Sequence, residues 1–302
     1  MSFAHVERVL PGHRDLVGES PLWSPEERAL FWVDIEARAV RRLAPAAGGL
    51  QSWTLPERVA SLALHADGGL VAALESRVAH ARLSADGGVA LDTLAPARHE
   101  HPGMRFNDGR CDRAGRFWVG SMVADMSANV AAGRLFRLEP DGFPAAGVDG
   151  LYTPNGLAFD ADGRGLWWSD SHPLSQSIWH ATLDADGRLG ARVLVVDMHE
   201  MPGRPDGAAI DVDGGYWICA NDGGRVLRFT PDGRLDRSLA LPVSKPAMCS
   251  FGGDDLDTLF VTSIQPPRPQ GDDVALAGEV FALRPGTQGL AETPFRPRAS
   301  HD

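Results

Sequence analysis

One six-residue template occurs three times in this chain of 302 residues, and it constrains the fold more than any other feature. Each copy opens with a side chain that carries an oxygen ligand and has an Asp five positions later. A Gly-containing turn and a Trp-bearing apolar run then follow. The copies are Asn107–Asp112, Asn155–Asp160 and Asp206–Asp211. They begin at 107, 155 and 206, so successive copies are 48 and 51 residues apart. Repeats of roughly 40–50 residues built from short strands are typical of a β-propeller.

Weaker copies bring the number of units to six. They begin near Glu19, Ser61 and Cys249, and each precedes a turn and a short apolar run. Long helical periodicity is missing, and the 34 Gly and 22 Pro residues interrupt most windows in which a helix could run. The sequence therefore predicts an all-β fold, a six-bladed β-propeller that occupies residues 1–302 as one domain. We expect the first and last units to close the ring through shared strands, and a loosely held tail at about 295–302.

Composition limits the classes of partner. The net charge of −11 argues against nucleic acid and against an anionic membrane surface. The first residues lack the pattern of a signal peptide, and no apolar run reaches transmembrane length. The three cysteines lie in or beside apolar segments, which favours buried free thiols over a disulfide. We expect a cytoplasmic protein, a monomer or a weak homo-oligomer, whose partner is a small molecule.

Asp-Gly segments recur between the predicted strands and have two interpretations. The segments 160–163, 184–187 and 211–214 resemble fragments of a calcium-binding loop. Each lacks the bidentate Glu at the twelfth position that an EF-hand requires. Asp-Gly is also the ordinary sequence of a tight hairpin, because Gly accepts positive φ. The hairpin interpretation is the stronger one.

Equivalent positions of the blades meet at one axis, so the first positions of the templates should form a polar cup. Read around the ring, these positions are Glu19, Ser61, Asn107, Asn155, Asp206 and Cys249. Carboxylates and amides that point at one axis are costly to bury unless a positive charge satisfies them. The ligands are oxygen donors, which favours a hard divalent ion such as Ca²⁺, Mg²⁺ or Mn²⁺. A central metal site is therefore predicted, although each motif alone is an ordinary turn sequence.

Several of these motifs together resemble a known family. They are Gly18–Trp23, Arg105–Gly109, Gly120–Met122, Pro154–Leu157, Pro205–Gly207 and Cys249–Gly253. Their order and spacing, from about Gly18 to Thr262, are similar to those of the SMP-30/gluconolactonase/LRE family. The resemblance implies a six-bladed propeller that binds one divalent cation. Ca²⁺ is the first choice, with Zn²⁺, Mn²⁺ and Mg²⁺ as alternatives.

The resemblance also implies roles for individual residues. Glu19, Asn155 and Asp206 match the metal ligands of the family, and Asp206 also matches its general base. By the same matching, the residues that touch substrate are Arg105, Asn107 and Asp125. The implied activity is the hydrolysis of a sugar aldonolactone to the aldonic acid, in which the metal polarises the carbonyl and Asp206 activates water. Asp125 stands where animal members have Glu, which bears on the choice of substrate.

Alternative interpretations remain for some of the charged residues. Arg105 could instead form an ion pair with Glu100 or Asp108. The carboxylate of Asp222 could face the pocket or serve only a hairpin turn. The pair His99 and His101 could bind zinc, but side chains at i and i+2 alternate faces on a strand, which favours a surface loop.

The sequence argues against some classes of enzyme and leaves two other functions open. The sequence has no Gly-x-Ser-x-Gly elbow, phosphate-binding loop or dinucleotide fingerprint. The same site could hydrolyse another ester or an organophosphate, because fold and metal do not fix the reaction. A calcium-binding or protein-interaction propeller without enzymatic activity is the third possibility.

Overall fold

The structure is a computed structural model that describes residues 5–44, 49–139 and 143–297. It contains six antiparallel sheets of four strands each. The innermost strand of every sheet contacts the innermost strand of the next, and the sixth contacts the first, so that the sheets form a closed ring. The prediction of an all-β, six-bladed propeller is confirmed.

The strands of each blade follow one another outward from the ring axis, and the first strand named is the innermost. Blade one contains β2 (Gly18–Ser24), β3 (Ala29–Asp34), β4 (Ala39–Ala44) and β5 (Gly49–Thr54). Blade two contains β6 (Val59–Leu64), β7 (Leu70–Leu74), β8 (Arg77–Leu83) and β9 (Val89–Pro96). Blade three contains β10 (Met104–Cys111), β11 (Phe117–Val123), β12 (Gly133–Arg137) and β13 (Ala145–Leu151).

The second half of the ring has the same organisation. Blade four contains β14 (Pro154–Phe159), β15 (Gly165–Asp170), β16 (Ser177–Thr182) and β17 (Val193–Asp197). Blade five contains β18 (Arg204–Ile210), β19 (Tyr216–Asn221), β20 (Arg225–Phe229) and β21 (Leu235–Ala240). Blade six contains β22 (Pro246–Gly252), β23 (Thr258–Ser263), β24 (Phe281–Leu283) and β1 (Val6–Arg8).

Helical structure in the described ranges is limited to short segments. They are a 3₁₀ turn at Met126–Ala128 and a single α-helix, α1 (Asp273–Leu276). No helix in these ranges has the length and hydropathy needed to cross a membrane.

The ring closes through a strand from the beginning of the chain. Strand β1 pairs antiparallel with β24 and supplies the outermost strand of the sixth blade. The Arg8 side chain adds to this closure because its Nε donates to the buried Glu279 carboxylate at 2.6 Å. Closure by a shared strand was predicted, and here β1 covers the edge that β24 would otherwise expose.

The hydrophobic core is divided into six clusters, and each cluster lies between two neighbouring blades. Strand β3 shows how the sequence produces this arrangement. Phe31 and Val33 pack toward blade two, whereas Leu30 and Trp32 pack toward blade six. Successive side chains of a strand point to opposite faces of its sheet, so a fully apolar strand serves two interfaces.

The Asp that ends each template copy has a structural role. It lies just after an innermost strand and accepts a hydrogen bond from the indole of a Trp on the next strand. The pairs are Trp118 Nε1 to Asp112 at 2.9 Å, Trp167 Nε1 to Asp160 at 2.8 Å and Trp217 Nε1 to Asp211 at 2.8 Å. A buried indole N–H needs such an acceptor. The repeated Asp and the repeated Trp are thus parts of one contact.

The Asp-Gly segments form hairpin turns, as the stronger interpretation predicted. Gly163, Gly187 and Gly214 have φ values of 72°, 78° and 78°. In each turn the amide of the Gly donates to the carbonyl of the Asp three positions earlier. Positive φ strains any residue with a Cβ, which explains why Gly recurs at these positions.

The segment after β24 crosses several blades on its way to the C-terminus. Gly289 pairs with Asp211, and Phe295 pairs with His65 in blade two. Phe295 is buried, and the amide of Arg296 donates to the carbonyl of Gly115 in blade three. The expectation of a loose tail from about 295 is therefore wrong for Phe295 and Arg296, because Phe295 adds to the apolar cluster between blades two and three. Residues 298–302 of that predicted tail lie outside the described residues.

Candidate active site

All six innermost strands contain a β-bulge near the end at which they enter the ring. The register shifts lie between Glu19 and Leu22, Val59 and Ser61, Phe106 and Gly109, Asn155 and Ala158, Pro205 and Ala208, and Pro246 and Cys249. A bulge bends the strand and redirects the side chains of the extra residues. The motifs that the sequence analysis selected coincide with these bulges, which explains why polar residues occur on otherwise apolar strands.

Glu19 and Asp206 share one electrostatic environment. Burial raises the pKa of Glu19 well above its usual value, and the charges of Asp206 and Asp108 raise it further. Arg105 acts in the opposite direction on the same carboxyl. The three acids and the guanidinium lie on the innermost strands of three different blades, and their charges act on the pKa of Glu19 through space.

Asp206 is buried and has few partners. Burial raises the pKa of its carboxyl to about 7, even though the charge of Arg204 and a hydrogen bond from Asn221 lower it. The Nδ2 of Asn221 donates to Oδ2 of Asp206 at 2.7 Å. No hydrogen bond to Oδ1 occurs within the described residues, so this oxygen is available to a ligand or a substrate.

The two template asparagines form a chain of hydrogen bonds with Arg105. Nδ2 of Asn107 donates to Oδ1 of Asn155 at 2.7 Å, and Arg105 Nη1 donates to Oδ1 of Asn107 at 2.8 Å. Nδ2 of Asn155 donates to Ser171 Oγ at 2.6 Å. These contacts fix the amide orientations. The Asn155 oxygen accepts one hydrogen bond and keeps a second lone pair for another partner.

Asp108 is a central acid to which the sequence analysis assigned no site role. Its Oδ2 accepts the amide of Leu157 at 2.8 Å and so connects the bulge of β10 with the bulge of β14. Its Oδ1 is buried and has no hydrogen-bond partner within the described ranges. Burial raises the pKa of this carboxyl. The contact with Leu157 braces the strand on which Asn155 lies.

A cluster of charges lies beside Asp206, where blades five and six adjoin. Arg204 Nε and Lys245 Nζ both donate to the carboxylate of Asp222, the former at 2.8 Å. Both also donate to Oδ1 of Asn221 at 3.3 Å. Asp222 has a φ of 71° in the turn after β19. Its position agrees with the hairpin-turn interpretation, and its carboxylate also contacts two cations; that it faces the pocket stays a prediction.

Asp125 occupies an exposed turn, away from the buried network. Its Oδ1 accepts the amide of Ser127 at 3.0 Å and the hydroxyl of the same residue at 2.6 Å, which caps the 3₁₀ turn. The ring Nδ1 of His172 accepts the amide of Leu174 at 3.2 Å. Nε2 of His172 then carries the proton and donates to the carbonyl of Met126 at 3.0 Å. His172 thus ties the turn of Asp125 to blade four. A contact between Asp125 and substrate remains a prediction.

Other sequence alternatives have clear outcomes. Arg105 donates to Asn107 and to the carbonyl of Phe106, while Glu100 pairs with Arg134. His99 and His101 bind different carbonyl groups, those of Glu75 and Pro102, so the contacts of the two rings do not converge on one site.

Two positions of the predicted cup lie outside the polar network. Cys249 follows the bulge of β22, pairs with Val261 and packs in the apolar cluster between blades five and six. Ser61 follows the bulge of β6 and is fully buried, and its hydroxyl has no partner within the described ranges. Including Cys249 in the cup was therefore wrong, because residues after the bulge face the interblade core. All three cysteines are buried and free, as predicted.

The set Glu19, Asn155 and Asp206 fits a hard divalent cation by its donor chemistry. It consists of the carboxylates of Glu19 and Asp206, of which the second raises the pKa of the first, and one amide oxygen with a spare lone pair. Within the described ranges no group of three His, Cys, Asp or Glu side chains is arranged to hold a metal ion. The predicted ligand set needs only two such acids, and its role as a metal site stays a prediction.

Five residues that support the site were not predicted from the sequence, and four of them lie at the end of a blade where the innermost strand begins and the second strand ends. Ser171 and Asn221 lie just after or at the end of a second strand, and Arg204 and Lys245 lie at or just before the start of an innermost strand. Cross-strand pairing is the signal that could have found them, because Arg204 pairs with Asn221 in the hairpin that carries Asp206. The fifth residue, Asp108, stands inside a motif that was read as an ordinary turn.

Comparison with known proteins gives close relatives over nearly the whole chain. The chain is 38% identical to 6-deoxy-6-sulfogluconolactonase of Pseudomonas putida, over 93% of this chain and 95% of the relative. It is 33% identical to pentonolactonase XacC of Haloferax volcanii, over 87% of this chain and 85% of that protein. It is 32% identical to regucalcin of Gallus gallus, over 98% and 99% of the two chains.

Solved structures support the same fold. A calcium-binding protein, regucalcin, from Agrobacterium tumefaciens superimposes with a TM-score of 0.88 at 24% identity, over 98% of this chain and 100% of the other. The sequence profile described as "SMP-30/Gluconolactonase/LRE-like region" matches residues 17–265. The predicted resemblance is confirmed: this chain belongs to the SMP-30/gluconolactonase/LRE-like family.

Proposed function

We propose that this protein is an enzyme that hydrolyses a sugar lactone to the corresponding aldonic acid and depends on one divalent cation. The names of two relatives, a sulfogluconolactonase and a pentonolactonase, support lactone hydrolysis. The observation that carries the proposal is that Glu19, Arg105 and Asp206 all lie on innermost strands, and that the charges of Arg105 and Asp206 act on the pKa of Glu19. Opposite charges at the bottom of a polar cup suit a polarised ester better than an apolar ligand.

Glu19, Asn155 and Asp206 are the residues that would hold the cation. Ca²⁺ is the first candidate because all three donors are oxygens, and Mg²⁺, Mn²⁺ or Zn²⁺ would find the same donors. When bound, the cation supplies Lewis acidity, which favours water addition to the lactone carbonyl.

Asp206 is the proposed general base. Asn221 holds Oδ2, which leaves Oδ1 to take a proton from the attacking water. The C–O bond to the ring oxygen then breaks, and this oxygen takes the proton from Asp206 to become a hydroxyl; the new carboxylic acid loses its own proton to solvent. Arg204 and Lys245 both favour the charged form of Asp206, and that form is the one a base requires.

Arg105 and Asn107 are the proposed contacts for the sugar hydroxyls. Arg105 uses Nη1 for Asn107 and for a carbonyl, whereas its Nε and Nη2 make no hydrogen bond within the described residues. A planar guanidinium with free donors matches a pair of hydroxyl or carbonyl oxygens. Asp125 would add a contact from its turn, and a cytoplasmic location and a monomer or weak homo-oligomer also remain predictions.

The decisive experiment is a matrix of metals against lactones. Protein stripped with a chelator should lose hydrolysis of glucono- and pentonolactones and regain it when Ca²⁺, Mg²⁺, Mn²⁺ or Zn²⁺ is added singly. The Asp232→Asn variant removes a carboxylate from an exposed turn of blade five and is the control for Asp206→Asn. It should lose and regain activity as the wild type does. Full activity after chelation would contradict the metal requirement. Tight metal binding without turnover of any lactone would favour a binding protein, and turnover of phosphotriesters alone would favour the other hydrolase.

A further inference from the structure

We propose that Arg204 and Lys245 form a binding site for an anionic group on the substrate. The preferred lactone then carries a phosphate, sulfonate or carboxylate at a carbon outside the ring. The inference rests on the proposed function and narrows its substrate class. Neither cation has a role in the proposed chemistry beyond its effect on Asp206.

The two cations lie next to the proposed base. Arg204 precedes Asp206 by two residues on β18, and Lys245 directly precedes β22. Asn221 joins them, because its Oδ1 accepts from both cations while its Nδ2 donates to Asp206. The amide of Asn221 therefore bridges both cations to the proposed base, over hydrogen bonds of 3.3, 3.3 and 2.7 Å.

The cluster has fewer negative partners than positive groups. One carboxylate, that of Asp222, pairs with both Arg204 and Lys245. Its side chain is 43% exposed, against 21% and 20% for the two cations. Two positively charged side chains that share one ion-pair partner keep N–H donors with which they can form charge-assisted hydrogen bonds to a second anion.

Arg58, between blades one and two, shows the opposite arrangement. It pairs with two acids, Glu36 at 3.1 Å and Glu75 at 3.1 Å, and so has no unbalanced positive charge. The protein as a whole carries a net charge of −11, so general attraction does not draw anions to its surface. Arg204 and Lys245, by contrast, share Asp222 as their direct ion-pair partner and reach Asp206 only through the amide of Asn221, so their arrangement points to a specific anionic ligand.

The test compares three lactones that differ only at carbon 6. They are glucono-1,5-lactone, its 6-phosphate and its 6-deoxy-6-sulfo analogue. The readout is the ratio of kcat/KM for each charged lactone to kcat/KM for the neutral one, at one pH. Loss of either cation also changes the pKa of Asp206, but this effect acts on all three substrates and cancels in the ratio.

Wild-type protein should prefer the charged lactones, and Arg204→Gln or Lys245→Gln should lower the ratio about tenfold, the value of one charge-assisted hydrogen bond. Asp222→Asn removes the competing carboxylate and should raise the ratio several-fold. Arg82→Gln, which removes an exposed arginine that pairs with Asp92 in blade two, is the control and should leave the ratio unchanged. The better of the two charged lactones identifies the anion.

A second readout does not depend on turnover. 6-Phosphogluconate should bind wild-type protein about tenfold more tightly than gluconate in calorimetry, and Lys245→Gln should abolish the difference. A wild-type ratio near one, or equal losses on neutral and charged lactones in the variants, would overturn the inference while lactonase activity stands. If the protein hydrolyses no lactone but binds 6-phosphogluconate selectively, the proposed function is rejected and the anion-binding site is supported.

Discussion

Asp206 and Asp211 lie five residues apart, at opposite ends of strand β18, and their environments differ in every respect except burial. Asp211 accepts from Arg228 Nε at 2.6 Å, from the Trp217 indole at 2.8 Å and from the amide of Gly215 at 2.8 Å. Asp206 accepts one bond, from Asn221. Burial raises the pKa of both carboxyls, but the hydrogen bonds from Arg228 and Trp217 make the net shift of Asp211 downward, whereas Asp206 reaches about 7.

The difference shows how one repeated template serves two purposes. At the end near Asp211 the Asp of the template accepts several hydrogen bonds from protein groups, and these bonds contribute to stability. At the end near Asp206 the acids are left with few partners, which costs stability and leaves them able to bind or react. The same division is visible in blade three, where Asp112 is fully engaged and Asp108 keeps one oxygen without a partner.

The largest expected effect is on activity. Asp206→Asn removes the proposed base and one ligand and should lower kcat on a lactone by about a thousandfold or more. The melting temperature should not fall, because the variant also removes a poorly satisfied buried charge. Activity within tenfold of the wild type, at an unchanged melting temperature, would show that Asp206 has no catalytic role.

The complementary change affects stability instead. Asp211→Asn breaks a buried ion pair and leaves Arg228 with Asp236 as its remaining acid. We expect the free energy of unfolding, measured in urea, to fall by about 3 kcal/mol. The kcat of the molecules that remain folded should match the wild type. A loss of activity as large as that of Asp206→Asn would contradict the division between the two ends.

A smaller effect should appear in the pH dependence of stability. The pKa of Asp211 in the folded protein lies below its unfolded value of about 3.9. Its contribution is therefore complete above the unfolded pKa and is lost as the pH falls through the folded pKa. The difference in unfolding free energy between wild type and Asp211→Asn should be constant from pH 6 to 5 and shrink below about pH 4. An increase of that difference on acidification would contradict the sign of the shift.

Most of the fold was predictable because local patterns repeat. The template spacing gave the number of blades, and the apolar strands indicated burial on both faces. The positions around the axis were less predictable. The sequence aligns Asn155 with Asn107 and Asp206, whereas strand register places Asn155 level with Phe106 and Pro205. Strand β14 has one paired residue fewer between its bulge and its turn, and a pattern of side chains does not reveal such a shift.

The sequence by itself determined that acidic and amide side chains recur at the period of a blade. Trp and Asp recur with them, because the same indole-to-carboxylate hydrogen bond forms in several blades. Only the tertiary structure decided which of these acids are satisfied. Asp211 finds Arg228 within its own blade, whereas the cations Arg204 and Lys245 meet beside Asp206 only because blades five and six are neighbours in a closed ring. Burial and charge act through space, so their effect on an acid depends on contacts that the order of residues does not contain.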